Sequence, residues 1–472
     1  MNKPVVKVEQ KELKKAVEVT RLLMEKVAAA RYENLGADVV TASKRAIIDG
    51  LGCTIAGSLT RTGKTIREYA LSESPQGECT LVGDGRRVGP AMAALANGTS
   101  GHALDYDDVQ WEVVGHPTVC ILPAILALGE KHEKSGRDFI LSYAVGIETG
   151  AKIGAGINMH HYELGWHATA TLGTLAAAGA ASKILGHDAL RMRNTIGIAV
   201  SRAGGVRQNF GTDTKPFHAG SAGMNGVMAA RLTDMNFTAN TEILEAPWGF
   251  FHLFCNDTFD AEKIVSDATK PWSVHTPGML FKPYAACVST HTAIDSMLAL
   301  IKEHDIGAED VERVDVGVVS LTQKILIHTR PKTGLNGKFS MQYSMARALL
   351  SRNLGMSQYT DEKVMDPAAQ ELLRRVDWHV DPELEAVWKG GPRPEIVHLY
   401  LKDGRKLTHR TDKSKGNPEF PLSDDEVSAK FLDCASVCLS RSQADTLLQK
   451  LWDLDSAASM REIMPLLASQ KR

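Results

Sequence analysis

The chain has no surplus of positive charge. Its 54 Lys and Arg stand against 56 Asp and Glu, for a formal net charge of -2 over 472 residues. A nucleic-acid partner is therefore not expected, because nothing supplies the cations that displace phosphate counterions. The two signs are mixed along the chain, with neither a basic arm nor an acidic tail. Long apolar runs are also missing. The most apolar stretch, Thr169 to Ala181, is rich in Ala, Gly and Thr and lies between His167 and Lys183. It is too short and too small-sided for a bilayer span, so no membrane partner is expected and a buried helix is. The first 20 residues are rich in Lys and Glu and lack an apolar core, so no signal peptide is expected. Cysteine is sparse and unpaired in pattern: Cys53, Cys79, Cys120, Cys255, Cys287, Cys434 and Cys438 are odd in number and form no C-x-x-C. That argues for the reduced thiols of a cytoplasmic protein. G-x-S-x-G, H-E-x-x-H, a Walker A loop and a dinucleotide fingerprint in a β-α-β frame are all absent. Gly154-x-Gly156 is a fragment without that frame.

What is present is a helical chain with an insert. Its length suffices for two or three domains. From Glu12 to about Leu232 the apolar spacing is helical. Helices are expected over Glu12–Arg31, Thr41–Ala56, Cys120–Lys131, from Arg137 onward and over Trp166–Leu185, the last closed by Gly186. The character changes near Lys270-Pro271-Trp272. Val311 to Ser320 alternates as a strand does, and Lys324 to His328 reads as a second strand. Ile396–Leu401, a turn at Asp403-Gly404 and Arg405–Thr411 read as a β-hairpin. His291–His304 and Phe339–Arg352 read as helices, and the helical pattern returns from Ser423 to Leu467. The expected architecture is mainly α. Residues 1–271 and 414–472 form a large all-helical domain, and 272–413 form a smaller α+β lid domain inserted into it.

Set into this background are short polar islands: His102-Ala103-Leu104-Asp105-Tyr106-Asp107-Asp108, Gly115-His116-Pro117-Thr118, Gly165-Trp166-His167, Lys215-Pro216-Phe217-His218-Ala219-Gly220 and Lys282-Pro283-Tyr284. Each places an ionisable group beside Gly or Pro or within an Ala-rich run, where periodicity does not ask for a charge and burial is costly unless the charge is paired. Asp105, Asp107 and Asp108 read as a general acid or base, as carboxylates orienting a neighbouring His or Lys, or as solvated helix-end charges. If helical, Asp105 and Asp108 share a face. Pro117 keeps His116 out of the helical region and just ahead of a helix N-terminus, which disfavours imidazolium; a surface or capping role is the alternative. His167 heads the Ala/Thr helix, either in the site or as a satisfied core histidine. Lys215 enters a small-residue helix with no further charge until Arg231; it reads as a carboxylate ligand or a base, or as a lysine reaching out to solvent. Tyr343 is a candidate donor or a core residue. A metal held by clustered Asp, or by His160, His161 and His167, lacks ligand spacing.

In this order the islands, together with T-K-P-F-H-A-G-S-A-x-x-N-G, resemble the motifs of the MmgE/PrpD family over essentially the whole chain. The resemblance implies a large helical domain with a smaller lid, usually a homodimer, and a cleft between the two that works without metal or organic cofactor. It implies catalytic roles for Asp105, His116, His167, Lys215 and Tyr343, with Lys215, Lys282 and His116 holding the substrate. The implied activity is that of a lyase that dehydrates or decarboxylates a small di- or tricarboxylate by proton transfer next to a carboxylate. Alternatives are an epimerase of an iminodisuccinate-like dicarboxylate and a non-catalytic carboxylate-binding protein. Two positions depart from the family pattern: Val109 stands where dehydratases and decarboxylases carry Thr and the epimerase Ser, and Ala286-Cys287 stands where decarboxylases show His.

Overall fold

Small residues decide how the central helices meet. The computed structural model describes residues 18–266 and 272–469. The expected helix start at Glu12 and the Lys270-Pro271 boundary lie outside the described residues, while the first helix is seen over Val19–Ala29. Helices Ala37–Gly57, Pro90–His102, Thr118–Lys131, Gly136–Ile157, Ala168–Ile184 and Thr214–Asp234 pack on one another. Ala168–Ile184, the run too short for a membrane, is buried along nearly its whole length. A helix without a polar face belongs at the centre of a bundle. No helix among the described residues is long and apolar enough to cross a membrane.

The Pro90–His102 and Thr214–Asp234 helices approach most closely at glycines. A Cβ on Gly98 would lie 2.8 Å from Gly220 Cα, and one on Gly220 would lie 2.8 Å from the Thr99 amide nitrogen. Glycine costs helix propensity here, and the close crossing is what it permits. The crossing matters for function because the first helix ends at His102 and the second carries Lys215 in its first turn.

A short ribbon pairs β1 (Cys79–Thr80) with β2 (Arg87–Val88). The main sheet has four strands: β3 (Val311–Val318), β4 (Val376–Val380), β5 (Glu395–Leu401) and β6 (Lys406–Thr411), in the order β4-β3-β5-β6. β3 runs parallel to β4 and antiparallel to β5. The hairpin is as expected, with Gly404 at φ 89° in its turn. β5 alternates buried and half-buried residues, and its inner face meets the His291–His304 helix. Two expectations are corrected. Residues 324–328 are not a strand: a helix covers Ser320–Ile325, its start joined to Glu385 by the Ser320 amide and hydroxyl. β4 was not anticipated, because Val-Asp-Trp-His-Val is too short and mixed to stand out until it is laid along β3. After the sheet, helices Asp424–Ser436 and Arg441–Trp452 return to pack on Ala37–Gly57.

The glycine crossing yields a prediction. Gly220→Ala should lower stability by about 1–3 kcal/mol through overpacking, read as a lower denaturation midpoint. An unchanged midpoint would mean that the helices separate without penalty.

Candidate functional site

The first island does not continue the helix that precedes it. Helix Pro90–His102 stops, and Asp105 takes φ 49°, a left-handed conformation that Asp tolerates better than most residues. Asp105 and Asp108 therefore do not share a helix face. Asp105 turns toward two lysines, whereas Asp108 accepts a hydrogen bond from the Thr118 hydroxyl, which also meets the Tyr143 hydroxyl.

Asp105 is the junction of the site. Its Oδ1 accepts from Lys282 Nζ at 2.7 Å and from Lys215 Nζ at 3.2 Å, and its backbone oxygen accepts a second bond from Lys282 at 2.7 Å. All three side chains are buried. Burial works to raise the Asp105 carboxyl, but the Lys215 and Lys282 ammoniums outweigh it and hold the group well below the ordinary carboxylate range.

A second row of contacts fixes the histidines. His102 Nδ1 lies 2.9 Å from Asp107 Oδ1, and its Nε2 lies 2.6 Å from Lys215 Nζ. A carboxylate only accepts and an ammonium only donates, so Nδ1 carries the proton and Nε2 receives the lysine. Burial, with the Lys215 charge adding to it, lowers this imidazole to about 3 and keeps it neutral. His116 Nδ1 meets the Asp108 carbonyl oxygen at 2.8 Å and Asp107 Oδ2 at 3.2 Å. Both neighbours are acceptors, so Nδ1 is again the protonated nitrogen and the lone pair is on Nε2, which lies 3.7 Å from Asp105 Oδ1. Burial lowers the His116 pKa as well, although Asp107 opposes the shift. His167 and His218 share one bond, Nδ1 to Nδ1 at 2.9 Å; burial, then the Lys215 charge, holds both below the usual range.

These groups border a cavity enclosing about 470 Å³ of space free of protein atoms, its open mouth included. Asp105, His116, His167 and Lys215 line it, with Val109 and Phe210 from the helical side and Cys287, Ser289 and Arg393 from the sheet-bearing side. Lys282 sits behind Asp105. Tyr343 is not brought to the cavity: its hydroxyl donates to the Gln358 carbonyl at 2.5 Å and its ring packs edge-on against Tyr359. Sequence reading left His102 and Arg393 without roles, and gave Asp107 only as one of three carboxylates acting as acid or base or orienting a neighbouring His or Lys; the structure sets it against His102 and His116. His102 and Asp107 stood inside a quoted island, and the signal for pairing them was the non-helical Asp105 between them. Arg393, between Pro392 and Pro394, had no motif around it.

His102, Asp105, Asp107 and His116 offer ligand atoms within 4.8 Å of one another. Several of those atoms are committed, although Asp105 Oδ2 is buried without a partner and His116 Nε2 keeps its lone pair. Asp105 Oδ1 receives two ammoniums, and a cation on that oxygen would have to displace both lysines. His160, His161 and His167 do not assemble either, since the His161 ring nitrogens meet the Phe254 carbonyl and the Thr171 hydroxyl. What the arrangement offers is an imidazole lone pair and fixed ammoniums around a cavity, which together can move a proton beside an anionic group.

The family model described as the MmgE/PrpD N-terminal domain matches residues 21–262, and that described as the MmgE/PrpD C-terminal domain matches residues 284–454. Similar proteins include a cis-aconitate decarboxylase of Mus musculus, 28% identical over 473 residues that span 94% of this chain and 93% of that protein. Another, of Homo sapiens, is 28% identical over 447 residues, spanning 91% and 90%. A third, of Aspergillus terreus, is 25% identical over 458 residues, spanning 92% and 93%.

Asp105 also sets an acid limit on the fold. A carboxyl whose pKa is lowered by folding contributes stability that is present above its unfolded value, about 3.9, and lost as pH falls below it. Asp105→Asn should cost about 3–5 kcal/mol at neutral pH by leaving two buried ammoniums unpaired, and the gap to wild type should narrow as the buffer is taken below about pH 4. Denaturation midpoints of the two proteins across pH test this; a pH-independent gap would refute it.

Proposed function

The chain belongs to the MmgE/PrpD family, and on that premise we propose that it is a cofactor-free lyase acting on a small di- or tricarboxylate, with decarboxylation of a cis-aconitate-like acid as the leading reaction. The observation that carries the reading is the convergence on one cavity of an imidazole with a free Nε2 lone pair and an ammonium, Lys215, whose position two neighbours fix. The reaction class needs a cation where negative charge develops and a group that exchanges a proton with carbon.

In a decarboxylation the bond from carbon to the departing carboxylate breaks and carbon dioxide leaves. The electron pair spreads over the carbon chain toward the adjacent carboxylate, and one proton is added at carbon. Lys215 has three N–H donors; two are turned to His102 and Asp105, and the third serves the substrate. Its fixed charge opposes the enediolate-like charge without reorganising. His116 Nε2 takes up a proton from solvent water and delivers it to carbon, while Asp107 and the Asp108 carbonyl hold the ring by its other nitrogen. His167, neutral beside His218, offers a further ring to the same space. Lys282 keeps Asp105 ionised and in place. The reading includes a homodimeric, cytoplasmic protein; exposed Met235, Phe237, Trp248 and Leu253 support self-association, which sedimentation of the purified protein tests.

Epimerisation of a dicarboxylate is the second reading. Removal and return of the α-proton needs only the groups already named, the His116 Nε2 lone pair and the Lys215 ammonium facing one cavity.

Proton NMR in heavy water with cis-aconitate, and with aspartate-, tartrate- and citrate-like acids, separates the readings. A lyase forms an alkene or loses a carboxylate; an epimerase exchanges the α-proton on an unchanged skeleton. Lys215→Ala and His116→Ala should each reduce turnover by about 10²–10⁴-fold with an unchanged circular dichroism spectrum. Wild-type rates in both variants would overturn the site assignment.

A further inference from the structure

Among the residues that line the cavity, contributed by the segment that leads into β5, is a cation without an ion-pair partner among the described residues. Arg393 is 6% exposed and lines the cavity. Its Nη1 donates to the Ser289 hydroxyl at 3.2 Å, and its Nε is buried with no partner. No carboxylate among the described residues lies within ion-pair distance of it, in contrast to Lys215 and Lys282. Trp111 flanks the guanidinium, 5.7 Å from the ring centre. Glu395, two residues on, is beyond ion-pair distance of it; its Oε2 accepts from the Ala293 amide, and burial raises its pKa to about 8 against the opposing charge of Arg393.

A buried guanidinium with one weak neutral partner is a costly arrangement. Nothing in the fold requires it, since Pro392 and Pro394 shape the backbone without help from the side chain. Its planar fork matches a carboxylate bidentately. We infer that Arg393, with Ser289, is a specificity-determining subsite for a second substrate carboxylate, distinct from the carboxylate that faces Lys215. The inference rests on the proposed function and deepens it: the substrate carries at least two carboxylates, one held at Lys215 and one at Arg393. Arg393 binds and orients, and takes no part in proton transfer.

Equilibrium binding, which does not depend on turnover, tests the subsite separately from the reaction. The probes are itaconate, a dicarboxylate, and methacrylate, which keeps the alkene and has one carboxylate. Calorimetric titration of wild type, Arg393→Gln and Arg393→Lys should show itaconate weakened at least tenfold in Arg393→Gln, with an intermediate loss in Arg393→Lys, which keeps the charge but not the fork. Methacrylate should change less than twofold throughout. Removing an unpaired buried charge should also leave the ligand-free Tm of Arg393→Gln equal to or above that of wild type. Equal losses for both probes, no loss for either, failure of wild type to bind itaconate, or a lowered ligand-free Tm would each overturn the subsite. A wild type that binds itaconate through Arg393 but turns over none of the acid panel would leave the subsite standing and refute the proposed reaction.

Discussion

Everything in the site hangs on one buried carboxylate, Asp105, and the two ammoniums that meet on its Oδ1. They reach it from separate parts of the chain, Lys215 from the head of a helix and Lys282 from the segment that follows residue 272. A charge taken out of water costs several kcal/mol unless an opposite charge is within bonding distance. None of the three can therefore be placed without the other two, and together they tie the turn after Pro90–His102, the start of Thr214–Asp234 and the approach to the sheet into one position. The left-handed backbone at Asp105 serves the same end. It releases the residue's carbonyl from helical bonding and offers it to Lys282.

Lys215 occupies an electrostatically poor place. A cation in the first turn of a helix opposes the macrodipole, and Phe210 and Phe339, 5.6 and 5.3 Å away, do not replace water. Asp105 and the neutral His102 compensate. The histidines nearby are kept uncharged by burial, and the two central rings have their Nδ1 protons fixed by carbonyl or carboxylate acceptors. Cations, anions and neutral rings thus alternate through the cluster: Asp107, His102, Lys215, Asp105, Lys282. Such an order lets several ionisable groups share a buried space without like charges meeting, and leaves lone pairs and N–H groups facing a ligand.

Much of this was legible in the sequence where a local rule governs the outcome. Helix periodicity located the bundle, alternation with Asp-Gly located the β5–β6 hairpin, and the islands located the residues that line the cavity. Reading failed where the outcome depends on a distant partner. β4 is a strand because β3 lies beside it, and residues 320–325 are helical with Glu385 bonded at their start. The supposed common face of Asp105 and Asp108 assumed that the helix runs on past His102; two lysines more than a hundred residues away decide otherwise. Tyr343 stands on the expected helix, but its hydroxyl is drawn to the Gln358 carbonyl. Arg393 carried no signal at all, since a lone arginine between prolines acquires meaning only when its surroundings lack an anion.

The two walls of the cavity divide the chemistry. The helical wall carries the ion cluster and the His116 lone pair, rigidly seated because glycines bring the helices ending at His102 and beginning near Lys215 into backbone contact. Movement of a few tenths of an ångström there would be felt at every bond to Asp105, so this wall has little freedom to vary while the same proton chemistry is kept. The sheet-bearing side is held by fewer bonds. Cys287 caps the short 3-10 turn Val288–Thr290 that carries Ser289, and Arg393 belongs to the lead into a strand; on the proposed reading they and Val109 set what fits rather than what reacts. It is at Val109 and Cys287 that the chain departs from the polar residues its family resemblance implies. On the proposed chemistry, a change of substrate with retention of mechanism calls for alterations on side chains outside the ion pairs of Asp105, and Val109 and Cys287 are such positions.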